Sequence, residues 1–320
     1  MTSKRNQNVI ITRQTGGNDG FGAQYQRILG VYAISRALNI SYMHTPFADI
    51  DYQGLQSLSK NEHSKEYVRE CIKRTWIKSD LNPNEINKNL KDYGFINDKN
   101  TPNKTFFLEN LIDVINKNQK TILQFTMPYA ITDKFPEMYN YVRGLYKPII
   151  KKNEIFTIGV HVRRGELFVV DGHRMLNNQY YVMIVNKIIN FCNEMNIKFC
   201  VELYTEIPDK DMVITGGHVG INNRINKPIT VKKELSSITE FENIPNLNKY
   251  INEATLDTFD RMVNCDILVM SRSSFSASAA YVKEGISVYY PFWSNMMKRD
   301  IAFNDPKFND KIKLFLKKYI

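Results

Sequence analysis

Phe156-Thr157-Ile158-Gly159-Val160-His161-Val162-Arg163-Arg164-Gly165 is the stretch on which the reading of this chain turns. Its branched and aromatic residues, closed by a glycine, have the length and composition of a buried strand in an α/β sheet. The run then switches to His161, Arg163 and Arg164, so two guanidinium groups stand at or just past the strand's carboxyl end. Ligands of open α/β sheets bind at that end, and a forked guanidinium suits a doubly charged oxyanion such as a phosphate. The alternative is an ordinary strand followed by arginines that pair with surface carboxylates, the usual fate of Arg.

A second hydroxyl-rich motif lies further along. Leu256, Phe259, Met262 and Val263 recur at helical spacing, and Asp266 to Met270 has the pattern of a buried strand. Ser271-Arg272-Ser273-Ser274-Phe275-Ser276 then forms a turn opening a helix through Val282, with Gly285 placed to end it and Ile286 to Tyr290 as one more short strand. Serine hydroxyls and the free N–H groups of a helix's first turn all donate, which favours an anion there. A plain N-cap at Ser273 or Ser274 accounts for the same residues without a ligand. Between the two motifs, Tyr180, Ile184, Val185, Ile188, Ile189 and Cys192 mark a helix, Lys198 to Tyr204 a strand, and residues 207–245 an irregular stretch.

The amino-terminal part repeats the strand-helix alternation. Val9 to Thr12 reads as a strand, Gly16, Gly17, Gly20 and Gly22 as a glycine-rich bend, and residues 23–38 as an amphipathic helix through Tyr25, Ile28, Leu29, Tyr32, Ala33 and Ala37. Ile40 to His44 is a second strand, stopped by Pro46. Helical spacing returns at Glu66 to Trp76 and at Met138 to Tyr146, while Thr105 to Leu108 and Thr121 to Phe125 have strand character. Asp80 to Lys104, rich in Asn, Asp, Lys and Pro, reads as loop with a short helix. The lysine-rich stretch Lys147 to Glu154 suits a linker, dividing the chain into two Rossmann-like α/β domains, 1–150 and 151–320. A last helix around Ile312 to Tyr319 is a candidate to cross back onto the first.

At 320 residues the chain is long enough for two cores, and 43% hydrophobic with 24% charged residues is globular. The net charge of +10 is spread along the chain with acidic residues interleaved, which favours a small anionic ligand over a nucleic-acid stripe. Met1 to Asn8 is polar and no run is apolar enough for a signal peptide or a bilayer span, so a cytoplasmic protein is expected. Cys71, Cys192, Cys200 and Cys265 form no C-x-x-C pair and read as core residues. Asp209-Lys210-Asp211 follows Pro208 and reads as a solvated turn, so no metal site and no cofactor is expected.

His161-Val162-Arg163-Arg164-Gly165-Glu166 resembles the His-Val-Arg-Arg-x-Asp motif of the metal-independent fucosyltransferases, a superfamily of α1,2-, α1,6- and protein O-fucosyltransferases. Ser271-Arg272-Ser273-Ser274-Phe275-Ser276 is similar to their Ser-Asn-Ser-Ser-Phe-Ser, and Gly20-Phe21-Gly22-Ala23-Gln24 to their Gly-x-Gly-Asn-Gln opening. The three matches fall in the family's order and cover about a quarter of the chain. The resemblance implies a GT-B fold, with a nucleotide-sugar donor in the second domain, a glycan acceptor along the first, and inverting transfer of fucose from GDP-fucose. It also implies that Arg163 holds the β-phosphate with Arg164 beside it or structural, that His161 lines the nucleotide pocket, and that Ser273, Ser274 and Phe275 enclose the diphosphate. Gly22 and Gln24 belong to the opening loop. Inversion needs a base on the acceptor hydroxyl; the matching position in α1,6-type relatives is Asp171, with Glu166 as competitor. Glu206, Asp257 and Thr258 sit where relatives contact the ribose or base.

Glu166 stands where the motif has Asp, and Ala23 where it has Asn. Both departures leave the donor open, and a UDP-sugar such as UDP-xylose on the same scaffold is the alternative. The basic stretch Lys307 to Tyr319 leaves a third, a non-catalytic nucleotide- or nucleic-acid-binding protein. The absence of a leader suits a bacterial or viral enzyme.

Overall fold

The computed structural model describes residues 6–14, 20–47, 65–81, 92–97, 108–164, 167, 174–214, 218–219, 223–224, 227–292 and 296–320. The fold is α/β, built on two all-parallel sheets, as expected. The first is formed by β1 (Asn6–Arg13), β2 (Ile40–Met43), β3 (Gly94–Asn97) and β4 (Thr121–Phe125) in the order β2-β1-β4-β3. Its helices are α1 (Phe21–Ala37), α2 (Lys65–Thr75), α3 (Leu108–Lys117) and the single turn α4 (Tyr129–Thr132), followed by a 3-10 stretch Pro136–Val142.

The second sheet begins with the opening stretch of sequence, β5 (Phe156–Val162), and continues through α5 (Asn178–Glu194) and β6 (Phe199–Thr205). Two small antiparallel pairs follow, β7 (Met212–Ile214) with β10 (Ile229–Val231) and β8 (His218–Val219) with β9 (Asn223–Arg224). The chain then runs β11 (Leu247–Ile251), α6 (Thr255–Asn264), β12 (Ile267–Val269), α7 (Ser274–Val282), β13 (Ile286–Tyr289), β14 (Ile301–Ala302) and α8 (Phe308–Leu316). The sheet order is β11-β6-β5-β12-β13-β14, which in chain order is 3-2-1-4-5-6, the doubly wound dinucleotide-binding arrangement. Every residue of β5 is buried, as a central parallel strand covered on both faces must be.

Several expectations are corrected. Gly94 to Asn97, inside the stretch read as loop, is an edge strand; short, half-exposed and without alternation, it carries no strand signal. β11 is likewise an unanticipated edge strand with mostly exposed residues. Leu108 starts a helix instead of ending a strand, and Thr105 to Phe107 lie outside the described residues. The helix expected over 138–146 is the 3-10 stretch and stops at Val142, because Arg143 is extended and Gly144 takes a left-handed φ of 69°. α8 packs its Phe308, Ile312, Phe315 and Leu316 into the core of the second sheet. Cys71, Cys192 and Cys265 are buried, and Cys200 is half-buried.

One hydrophobic cluster runs from the first sheet through α1 into α6 and α7, while a second lies on the opposite face of the second sheet. Asp260 of α6 anchors the junction. Its fully buried carboxylate accepts from Tyr146 Oη at 2.5 Å and from the backbone N–H of Ile149 and Ile150 at 2.7 and 3.0 Å, and pairs with Arg74 of α2 at 3.1 Å. Asp260→Ala takes the acceptor from Tyr146 Oη and from two backbone N–H groups and removes one of the carboxylates around Arg74, which keeps Glu70 and Asp257; the expected loss of stability in urea unfolding is about 3–5 kcal/mol.

Candidate functional site

The site is built where two strand-turn-helix units meet. β5 pairs with β12 in register, Ile158 opposite Ile267 and Val160 opposite Val269, so His161 and Val162 lie beside the start of the Ser271 turn. Ser271 stitches the two together. Its hydroxyl donates to His161 O at 2.7 Å, accepts from the Arg163 N–H at 2.8 Å, and meets Tyr181 Oη at 2.6 Å. Arg163 therefore leaves the sheet on a backbone already bonded to the turn that opens α7. Ser273 is the N-cap of that helix, with extended backbone and its Oγ accepting from the Phe275 N–H at 3.3 Å, so the capping interpretation holds for this residue. Ser274, the first helical residue, is half-buried.

His161 is buried and its Nδ1 is bonded to Ser276 Oγ of α7. Burial first, then the charges of Arg163 and Arg164, push its pKa down to about 3, so the imidazole is neutral. Arg164 turns inward. Its guanidinium, 3% exposed, donates to Arg163 O at 2.9 Å and to Asn178 Oδ1, and lies over the Tyr181 ring at 5.9 Å. It ties the end of β5 to the start of α5, while Arg163 keeps a side chain 21% exposed.

Across β5, Glu206 follows the end of β6, with its Oε2 at 3.6 Å from Arg163 Nη1. That distance is beyond a direct hydrogen bond, and Oε2 is buried without a hydrogen-bond partner among the described residues. Burial raises the carboxyl pKa to about 7.

The glycine-rich opening loop joins the same place from the first sheet. α1 starts from Gly20 with no side-chain cap, and a Cβ on Gly22 would sit 2.5 Å from Phe275 Cα and 2.6 Å from Phe275 N. Gly22 is thus glycine because the start of α7 lies against it, and Ser278 Oγ donates to Gly22 O at 2.9 Å. Phe275 packs edge-on to His161 and Phe21 and tilts against Phe259, which makes it part of the wall where the helices join. Gln24 is buried in α1.

The remaining sequence-derived candidates are not brought into this cluster by the bonds they make. Asp257 pairs with Arg74 at 3.4 Å, and Thr258 Oγ1 donates to Glu253 at 3.4 Å; a first-turn position on α6 binds them to its own neighbours. Asp171 and Glu166 lie outside the described residues. Asp211 accepts from Lys232 Nζ and the Lys233 N–H, and Asp209 is exposed, as a solvated turn requires.

Ser271, Ser276 and Arg272 were not singled out as site residues, although all three stand in the quoted motif. Arg272 lies over the Tyr290 ring at 4.0 Å and the Phe292 ring at 5.4 Å, beside a solvent-open pocket with about 310 Å³ of empty space between the Ser271 turn and the end of β13. The missing signal was strand pairing: only the register of β12 between β5 and β13 tells which turn residues face which strand.

No helix among the described residues is long and apolar enough to cross a membrane, and none of their His, Cys, Asp and Glu side chains gather in threes as metal ligands do. No protein-family model matches the chain, and no curated protein does. Among solved structures it is similar to POFUT1 in complex with GDP, at 14% identity over 88% of this chain and 95% of that one, with a TM-score of 0.42. It is also similar to E. coli heptosyltransferase WaaC with ADP-2-deoxy-2-fluoro heptose, at 10% identity over 98% and 100% of the two chains and a TM-score of 0.38. A third is UDP-N-acetylglucosamine 2-epimerase from Rickettsia bellii, at 10% identity over 98% and 88%, TM-score 0.31. Likeness at this level bears on neither donor nor acceptor.

Proposed function

We propose that the chain is a glycosyltransferase of GT-B type that moves a sugar from a nucleotide diphosphate donor to a glycan hydroxyl, residues 151–320 holding the donor and residues 1–150 the acceptor. The observation that carries it is the stitching of a cationic strand end to a helix start: the Arg163 N–H on Ser271 Oγ, two residues before the Ser273 cap. This junction sits between β5 and β12, where the strand order reverses, the crevice in which doubly wound sheets bind nucleotides.

Cleaving a glycosyl phosphate builds charge on the departing diphosphate. In this proposal Arg163 neutralises that charge, helped by the first-turn N–H groups of α7. Neutral His161, held by Ser276, lines the pocket without adding a proton. Glu206 stands at the end of the second strand in chain order of a 3-2-1-4-5-6 sheet, the place from which an acidic side chain accepts from ribose hydroxyls. Asp171 serves as the base on the acceptor hydroxyl, with Glu166 the competitor. The His-Val-Arg-Arg and Ser-Ser-Phe-Ser resemblances favour GDP-fucose; Glu166 and Ala23, departing from the pattern, favour a UDP-sugar as second choice.

A melting-temperature panel with GDP, UDP, GDP-fucose and UDP-xylose, with and without magnesium, decides between them. A ligand at a hundredfold excess over its dissociation constant stabilises by about 2.7 kcal/mol. A magnesium-independent shift by GDP supports the first donor and a UDP preference the second. No nucleotide shift, together with salt-sensitive oligonucleotide binding, rejects glycosyl transfer.

Arg163→Ala is expected to lower transfer by about 10²–10³-fold with stability within about 0.5 kcal/mol of the parent, read by turnover and urea unfolding. Asp171→Asn should cut turnover and leave donor affinity near the parent value; full activity rejects it as the base.

Glu206 gives a pH signature. Because its pKa is higher in the folded protein, its contribution is fully present below the ordinary Glu value and is lost as pH rises through about 7. Melting curves of Glu206→Gln should match the parent at pH 4 and lie above it at pH 8.

A further inference from the structure

The first sheet has a switch point of its own. From β1 the chain moves outward to β2 on one side, while β3 and β4 lie on the other, so the crevice opens beyond the carboxyl ends of β1 and β4. Four neutral polar residues meet there. Gln14 follows β1 and donates its N–H to Phe125 O at 2.7 Å; Gln124 and Thr126 stand at the end of β4; Asn97 ends β3 in register with Gln124.

Their hydrogen bonds point one way. Asn97 Nδ2 donates to Gln124 Oε1 at 2.7 Å and to Gln14 Oε1 at 3.3 Å, and Thr126 Oγ1 donates to Gln14 Oε1 at 2.8 Å. Both glutamine carbonyls are thereby held by side chains of the sheet. The two Nε2 amides, four N–H donors in all, have no partner among the described residues, and both glutamines are half-buried. An edge of fixed donors selects a ligand rich in oxygen lone pairs.

Charge narrows the class. Arg13, the cation at this edge, is 1% exposed and donates to Pro46 O at 2.6 Å, away from solvent. His44, at the end of β2, is bonded to Tyr42 Oη, and burial with Arg13 nearby lowers its pKa to about 4, so it is uncharged at neutral pH. Nothing among the described residues of this edge offers the exposed cation that a phosphate or carboxylate requires, in contrast to Arg163 at the second sheet.

We infer that Gln14 and Gln124, oriented by Asn97 and Thr126 at the switch point of the first sheet, form a saccharide site that takes the hydroxyl and ring oxygens of an uncharged sugar unit. The site rests on the glycosyl-transfer proposal for its role, as the reader of the acceptor, but its ligand chemistry can be measured without any nucleotide.

The test is ligand-observed NMR titration of the full chain with methyl glycosides of glucose, galactose, mannose and N-acetylglucosamine, set against glucuronic acid and glucose 6-phosphate. Binding of one or more neutral glycosides in preference to the anionic sugars is expected. Gln124→Glu, and Gln14→Met, which removes donors without adding charge, should each weaken it by about tenfold, the size of one hydrogen bond of about 1.4 kcal/mol. Unchanged melting temperature reports that each variant is folded. Tighter binding of the anionic sugars, variants that bind as the parent does, or no binding of any neutral glycoside at the highest attainable concentration overturns the site. Failure of the nucleotide panel alone, with the saccharide response intact, counts against the donor proposal and upholds this site.

Discussion

The contact between Gly22 and Phe275 is the constraint from which the rest of the molecule takes its shape. Two helices that follow strands of different sheets, α1 after β1 and α7 after β12, begin against each other, so close that a single added carbon would overlap the Phe275 backbone. Ser278 locks the pair by donating to Gly22 O, and Phe21, Tyr25, Tyr146, Phe259 and Phe275 fill the space around it with tilted and edge-on rings. Each helix starts on the carboxyl-end side of its sheet, so the contact joins the two sheets on that side. Aromatic packing supplies the apolar burial, and the buried Asp260 ties in the connection after Val142 and Arg74 of α2.

Two sheets facing each other in this way do not carry the same chemistry. The second presents Arg163 and a capped helix start; its other arginine, Arg164, is buried and bonded to Arg163 O and Asn178, and its histidine is held neutral. The first presents amides whose carbonyls are turned to the sheet. In the proposed reaction the second sheet would meet the departing polyanion and the first an uncharged polyol. Ser271 is the residue on which the second sheet's geometry depends, since one hydroxyl fixes the exit of Arg163, the end of β5 and the ring of Tyr181 together.

The elements that could be read from the chain alone are those whose burial leaves a pattern. β5, β6 and β12 are apolar runs because parallel strands in the middle of a sheet are covered on both faces, and α5 and α6 keep an inward-facing stripe; α1, expected to be amphipathic, is instead buried on all sides from Gln24 to Val31, because it lies between the first sheet and α7. Edge strands leave none, which is why Gly94 to Asn97 fell in a stretch read as loop with a short helix and Leu247 to Ile251 gave no strand reading. Met138 to Tyr146 had helical spacing, yet the backbone turns at Arg143 and Gly144, a decision made by how the chain enters its connection to β5. Gly22 read as part of a glycine-rich opening loop, and its lack of a side chain answers to a neighbouring helix.

The amino-acid sequence by itself determined the strand-helix alternation, the central strand ending in His161 and Arg163, and the hydroxyl-rich turn at 271–276, because local periodicity and a change from apolar to charged residues are written along the chain. Only the tertiary structure decided which arginine is buried, which serine is a cap and which a tie, that Asp257 pairs with Arg74, and that Glu206 comes to face Arg163. Those outcomes follow from strand register and helix contact between residues up to about 250 positions apart, such as Ser278 and Gly22, and no local signal encodes a partner at that range.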